Sequence, residues 1–170
     1  MQRLFTILGG IGVMALALGL AGCGGSNVTN KTLKFTEKDT MNFGFLDAAP
    51  TTKLTQGGPA KLSTGDQLTF SSTLLDSSKK PVGTLLATCA IVSDPSGTFE
   101  QAVSTCQGTA TVPGGTITLA VGGKVFGKRT EGSITGGTGT YARATGSFTS
   151  VSTGVNVPNV DTLDITIVKK

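Results

Sequence analysis

A chain of 170 residues with 25 glycines, 38% hydrophobic and only 14% charged side chains has the size of one domain, too apolar for disorder and too glycine-rich for a helical fold. Histidine and tryptophan are absent, which excludes histidine-based triads, histidine-ligated metal sites and indole anchors. The formal net charge of +4 is spread along the chain without clustering beside aromatics, so no nucleic-acid face and no metal or cofactor is expected.

In chain order, Arg3 precedes an uncharged stretch from Leu4 to Leu20, interrupted by glycines, that runs into Leu20-Ala21-Gly22-Cys23. A charged start, a short apolar middle and small residues before a cut site make an export signal over residues 1–22. Leu-Ala-Gly-Cys resembles the lipobox of bacterial lipoproteins, in which the Cys23 thiol takes a diacylglycerol and becomes the first residue after cleavage. The resemblance implies an envelope protein held to a bacterial membrane by lipid on Cys23, with residues 23–32 as a tether and 33–170 as the body. Each buried acyl methylene adds about 0.8 kcal/mol to that anchoring.

Beyond Leu33 no stretch keeps apolar residues at helical spacing over three turns; alternation of period two replaces it. Leu68, Phe70 and Leu74 share a face opposite Thr69 and Thr73. Ile117, Leu119 and Val121 alternate with Thr116, Thr118 and Ala120, and Leu163, Ile165 and Ile167 repeat the pattern. The run Val82 to Val92 is apolar on both faces and is expected to be covered twice. Turn residues separate the runs at Gly57-Gly58-Pro59, Asp76 to Pro81, Asp94 to Gly97, Pro113-Gly114-Gly115 and Gly122-Gly123. About eight short strands at this spacing predict an all-β sandwich or closed antiparallel barrel. Two glycine patterns imitate nucleotide sites and fail. Arg129 stands where a phosphate loop needs serine or threonine, and strand-like residues follow Gly137-Thr138-Gly139-Thr140 where a helix is required.

Three segments carry a family resemblance: Gly65 to Leu74, Val82-Gly83-Thr84 with Thr88-Cys89-Ala90-Ile91-Val92, and Ile134-Thr135-Gly136-Gly137-Thr138-Gly139-Thr140-Tyr141-Ala142-Arg143-Ala144-Thr145-Gly146. Together they resemble the allene oxide cyclase and dirigent superfamily, which implies an eight-stranded antiparallel, calycin-like barrel and a homo-oligomer, a trimer. In this reading Gly136, Gly137, Gly139 and Gly146 are structural, allowing a tight turn and a strand bend. Laying Glu37-Lys38-Asp39 over the cyclase's Glu-Arg-Asp puts Lys34 at the catalytic acid, Phe43 at a proline and Ser72 at an asparagine, with only Cys89 matching. A lysine cannot serve as that acid, so allene oxide cyclase activity is not expected. The dirigent branch implies Glu37 and Asp39 as candidate catalytic acids. Phe70, Ser72, Cys89 and Tyr141 are the candidate pocket residues.

Two thiols remain once Cys23 is acylated, and an exported domain favours their pairing. A hairpin centred on Gly97-Thr98 sets Cys89 opposite Cys106, whereas one centred on Pro95-Ser96 sets it opposite Ala102; a free pocket thiol at Cys89 is the rival role. Two functions follow. The first is a non-catalytic module that binds a small apolar ligand or an envelope partner. The alternative is a cyclase or stereo-directing protein for a reactive polyketide-like or phenolic intermediate. Cys23→Ala is expected to abolish membrane attachment, read by detergent phase partitioning; a variant that still fractionates wholly with membranes would contradict the lipobox reading.

Overall fold

The computed structural model describes residues 27–38, 42–48, 54–55, 58–59, 62–94, 101–124, 127–152 and 158–169. Cys23 and the export signal, Asp39, and the aromatics Phe99 and Phe126 lie outside them. The strands are β1 (Asn27–Glu37), β2 (Asn42–Leu46), β3 (Leu54–Thr55), β4 (Gly58–Pro59), β5 (Gln67–Leu75), β6 (Pro81–Ser93), β7 (Val103–Val112), β8 (Gly115–Gly123), β9 (Arg129–Gly137), β10 (Ala144–Val151) and β11 (Val160–Lys169). Residues 27–32, assigned to the tether from sequence, are part of β1 and pair with β11 from Asn27↔Lys169 onward.

Every neighbour in the main sheet is antiparallel, in the order β1-β11-β10-β9-β8-β7-β6-β5-β2. β1 also pairs with β5 through Thr36↔Leu75 and Glu37↔Leu74, so β1 and β5 through β11 close into a ring of eight strands. β2 continues past β1 along the same edge of β5, from Asn42↔Ser71 to Leu46↔Gln67. Closure removes the exposed edges that an open sheet of this length would present.

Alternation places the apolar positions inside. Phe35, Leu74, Ala110, Val112, Ile117, Leu119, Ile134, Phe148, Leu163, Ile165 and Ile167 belong to one cluster, and Leu68, Ile91 and the two cysteines to a second, with Val121 packed against both. The expected double cover of β6 is not found. Leu85, Cys89 and Ile91 turn inward while Leu86 and Val92 remain 58% and 50% exposed, because among the described residues no second layer lies over the outer wall there. An apolar run on both faces therefore marks a strand of a closed barrel as readily as a doubly covered one.

One end of the barrel is sealed by three tight turns. Asp76 Oδ1 accepts hydrogen bonds from the Ser78 and Lys80 amides at 2.8 and 3.0 Å. At the β7–β8 and β9–β10 turns, Thr140 N donates to Gly114 O at 2.8 Å and Thr138 N to Thr116 O at 2.9 Å. Tyr141, on a single 3-10 turn from Gly139 to Tyr141, is buried there and its hydroxyl donates to Pro113 O at 3.3 Å. Two glycines are required for this closure. Gly139 sits at φ +60, where a β-carbon would strike the Gly114 carbonyl, and Gly146 sits at φ +143, where one would strike the Asp164 carbonyl. Gly137 keeps an ordinary φ; its constraint is crowding by the Thr116 and Tyr141 carbonyls, not the left-handed backbone expected from sequence.

Gly139→Val and Gly146→Val should each lower stability by about 2 kcal/mol or more in urea unfolding. Gly122→Ala, whose new methyl would meet nothing within 4 Å, should stay close to wild type.

Candidate functional site inside the barrel

Where β1 leaves β11 and pairs with β5, two carboxyl groups lie inside the barrel, Glu37 opposite Leu74 and so close to the Asp76 turn. Glu37 shares the inward face of β1 with Leu33 and Phe35, and Asp161 shares that of β11 with Leu163, Ile165 and Ile167. Pairing brings them together: Asp161 stands opposite Phe35 on β1 and Ser150 on β10, and Glu37 N donates to Asn159 O at 2.9 Å just before β11 begins. Glu37 is 5% exposed and Asp161 1%.

The two carboxyls lie within reach of each other, Glu37 also of the Asn159 side chain and Asp161 also of the Ser150 side chain. Ser72 on β5, buried and inward, lies close enough to Glu37 to favour its carboxylate form, although its hydroxyl makes no hydrogen bond of full geometry. Asp161 Oδ1 has no partner among the described residues. Burial pushes both acids above their ordinary range. For Asp161, desolvation comes first, the Glu37 charge second, and the result is about 7. For Glu37, desolvation outweighs the opposing influence of Asn159, Asp161 and Ser72. Like charges in contact in an apolar wall cannot both persist, so the pair holds one proton near neutrality: a neutral acid beside a carboxylate. Such a pair can give a proton to one substrate atom and accept one from another.

The other sequence candidates fall elsewhere. Asp39 lies outside the described residues. Lys34 is exposed on the outer wall, so the register that put a lysine at the acid position does not put one in the pocket. Phe70 turns inward on β5 against the second cluster. Tyr141 sits in the β9–β10 turn, where Lys31 Nζ lies 5.5 Å from its ring centroid; Lys31 itself is about 20 Å along β1 from Glu37. It closes that turn instead of lining the acid site. Cys89 and Cys106 are directly opposed and joined by a disulfide inside the barrel, which removes the free-thiol role. The opposition is the one set by a Gly97-Thr98 hairpin, and a bulge between Ile91 and Ser93 shifts the register by one beyond it.

Asp66, fully buried, is structural: its carboxylate accepts from Ala48 N at 2.9 Å and from Ser63 N at 2.7 Å, fastening the entry to β5. Two surface depressions compete for attention, of about 520 Å³ over Thr88, Ala90, Thr105 and Gln107 and about 370 Å³ beside Lys124, Arg129 and Glu131. Both open to solvent on the outer wall. The ion pair beside the second, Arg129 with Glu131 at 2.6 Å, is exposed and solvated, and among the described residues neither depression gathers groups able to do chemistry.

Similar solved structures share this architecture. A pyocyanin demethylase matches at 21% identity over 81% of this chain and 99% of that one, with a TM-score of 0.61. A pterocarpan synthase dirigent protein matches at 17% identity over 86% and 94%, TM-score 0.62. An exo-specific intermolecular Diels-Alderase matches at 11% identity over 83% and 99%, TM-score 0.60. The chain thus has the fold of the dirigent and cyclase-like barrels. No family model and no curated protein matches the sequence.

The raised acids fix a pH dependence. A carboxyl whose native pKa lies above its unfolded value of 3.8 stabilises the protein fully at low pH and loses that contribution as pH rises through the native value, about 7 for Asp161. The melting temperature should fall across that window, and Asp161→Asn should flatten the fall, measured by thermal scans of both proteins.

Proposed function

We propose that this protein is a stereo-directing or cyclising catalyst for a reactive, largely apolar intermediate, carried on a bacterial envelope lipoprotein anchored through Cys23. The observation that carries the catalytic part is the Glu37–Asp161 pair, a proton donor and a proton acceptor side by side inside an otherwise apolar barrel. The similar structures support it, since a pterocarpan synthase dirigent protein and an exo-specific intermolecular Diels-Alderase share this fold. The envelope anchoring rests on the Leu-Ala-Gly-Cys sequence.

In this reading the apolar wall of Phe35, Phe70, Leu74 and Phe148 holds the substrate in one folded conformation and keeps water out. Asp161 donates its proton to a carbonyl-type oxygen of the intermediate, which makes the conjugated carbon electrophilic. An internal nucleophile then closes the ring, and its proton passes to Glu37. Transfer between the two carboxyls returns that proton to Asp161. Atoms and charge balance as an isomerisation that needs no co-reactant. Ser72 and Asn159 position Glu37, and Ser150 positions Asp161.

The sequence alone favoured ligand binding without catalysis, and that reading loses ground because a binding barrel has no need to bury two carboxyls in contact. Allene oxide cyclisation stays outside the proposal, with Lys34 on the outer wall. The test is chiral metabolite profiling of the host with the gene deleted and then restored. One metabolite should lose its enantiomeric excess on deletion and regain it with wild type, while Glu37→Gln or Asp161→Asn should lower its formation by about 10²–10⁴-fold. Unchanged chirality on deletion, or full rescue by both variants, would overturn the catalytic reading.

A further inference from the structure

The interior around Glu37 and Asp161 carries negative charge with no cation to meet it. Lys34 on β1 and Lys38 just after it are exposed, and Lys31 on β1 stands over Tyr141. On β11, Asp164 faces outward and accepts a 2.6 Å hydrogen bond from Thr32. On β9, Arg129 and Glu131 neutralise each other in solvent. β5 and β10 contain no charged residue at all. Among the described residues, nothing positive therefore faces the pair from any strand packed against it.

Two buried polar atoms beside the pair point to what completes it. Asp161 Oδ1 is an acceptor without a donor, in a side chain 1% exposed. Ser72 Oγ, in a side chain 4% exposed on the facing strand, likewise lacks a full hydrogen bond. A buried acceptor left without a donor costs about 1–3 kcal/mol, and a buried carboxylate without a counter-charge costs more, so a ligand that supplies both a donor and positive charge recovers both.

We infer that the barrel interior at Glu37 and Asp161 selects apolar ring compounds bearing a protonated amine, whose N–H donates to Asp161 Oδ1, and rejects carboxylates. The inference rests on the catalytic reading only in placing the ligand at the same pair. The same field would favour positive charge developing on a bound intermediate over negative charge. Binding of the cation lets the proton shared by the two acids leave. With Asp161 raised to about 7, part of that shared proton should be released on binding near neutral pH. An arriving carboxylate would instead place a third acid in the same apolar space.

The experiment uses the full-length protein and three naphthalene probes of one size: 2-naphthylmethylammonium, 2-naphthol and 2-naphthoate. Calorimetric titrations in two buffers of different ionisation enthalpy give affinity and proton release together. The ammonium probe should bind at least about tenfold more tightly than naphthoate at pH 7, with naphthol between them. Its binding alone should release protons. In the Glu37→Gln, Asp161→Asn double variant the three affinities should converge to within about twofold and the release should vanish. Equal affinities in wild type, tighter binding of naphthoate, or no binding of the ammonium probe would overturn the inference without needing the variant. An ammonium preference in a protein with no effect on metabolite chirality would sink the catalytic reading and leave this one standing; chirality control without charge preference would do the reverse.

Discussion

Two carboxyl groups in contact within an apolar wall impose one constraint on everything around them: a proton must stay between them. In water each would ionise near pH 4 and drift apart. Inside the barrel, desolvation raises both, and the Glu37 charge adds to the rise at Asp161. The close approach between them, with Asn159 and Ser150 on either side, sets the geometry that makes sharing possible. Remove the burial and the pair becomes two ordinary surface acids.

The burial is a product of barrel closure at one narrow place. β1 meets β5 over only two residue pairs, Thr36↔Leu75 and Glu37↔Leu74, and Glu37 is itself one of the closing residues. Its amide is fastened to Asn159 O and the amide of the next residue, Lys38, to Thr73 O, both at 2.9 Å. The acid thus sits where the first strand leaves β11 and turns onto β5. Tyr141 and the glycine turns fasten the β7–β8 turn to the β9–β10 turn. The Cys89–Cys106 bond ties two neighbouring strands within the wall, closing a loop of sequence separation 17, a length for which the chain-entropy contribution is about 3 kcal/mol.

Much of this was legible because a β-strand has a period of two. Leu68, Ile117, Leu163 and their partners declared the inner wall, and of the two hairpin centres left open, the one at Gly97-Thr98 gives the pairing found, Cys89 against Cys106. The family resemblance chose the barrel over the sandwich, a choice that alternation alone does not make. Glu37 was singled out, but Asp161 was not, although it continues the inward series of Leu163, Ile165 and Ile167 by a count of two. An acid at the end of an apolar face reads as the place where a strand meets water; only the pairing of β11 with β1 and β10 reveals that Phe35 and Ser150 flank it. The exposure of Leu86 and Val92 was illegible for a related reason. Sequence gives the two faces of a strand, and what lies over the outer one depends on the whole fold.

The most direct measurement is a carboxyl-carbon NMR titration of the labelled protein, from about pH 3 to about pH 9, following the Asp161 and Glu37 side chains. The account predicts an Asp161 midpoint of about 7, with the Glu37 signal sensing the same step. Independent titration of both groups near the ordinary value of about 4 would mean that no proton is shared and would contradict it.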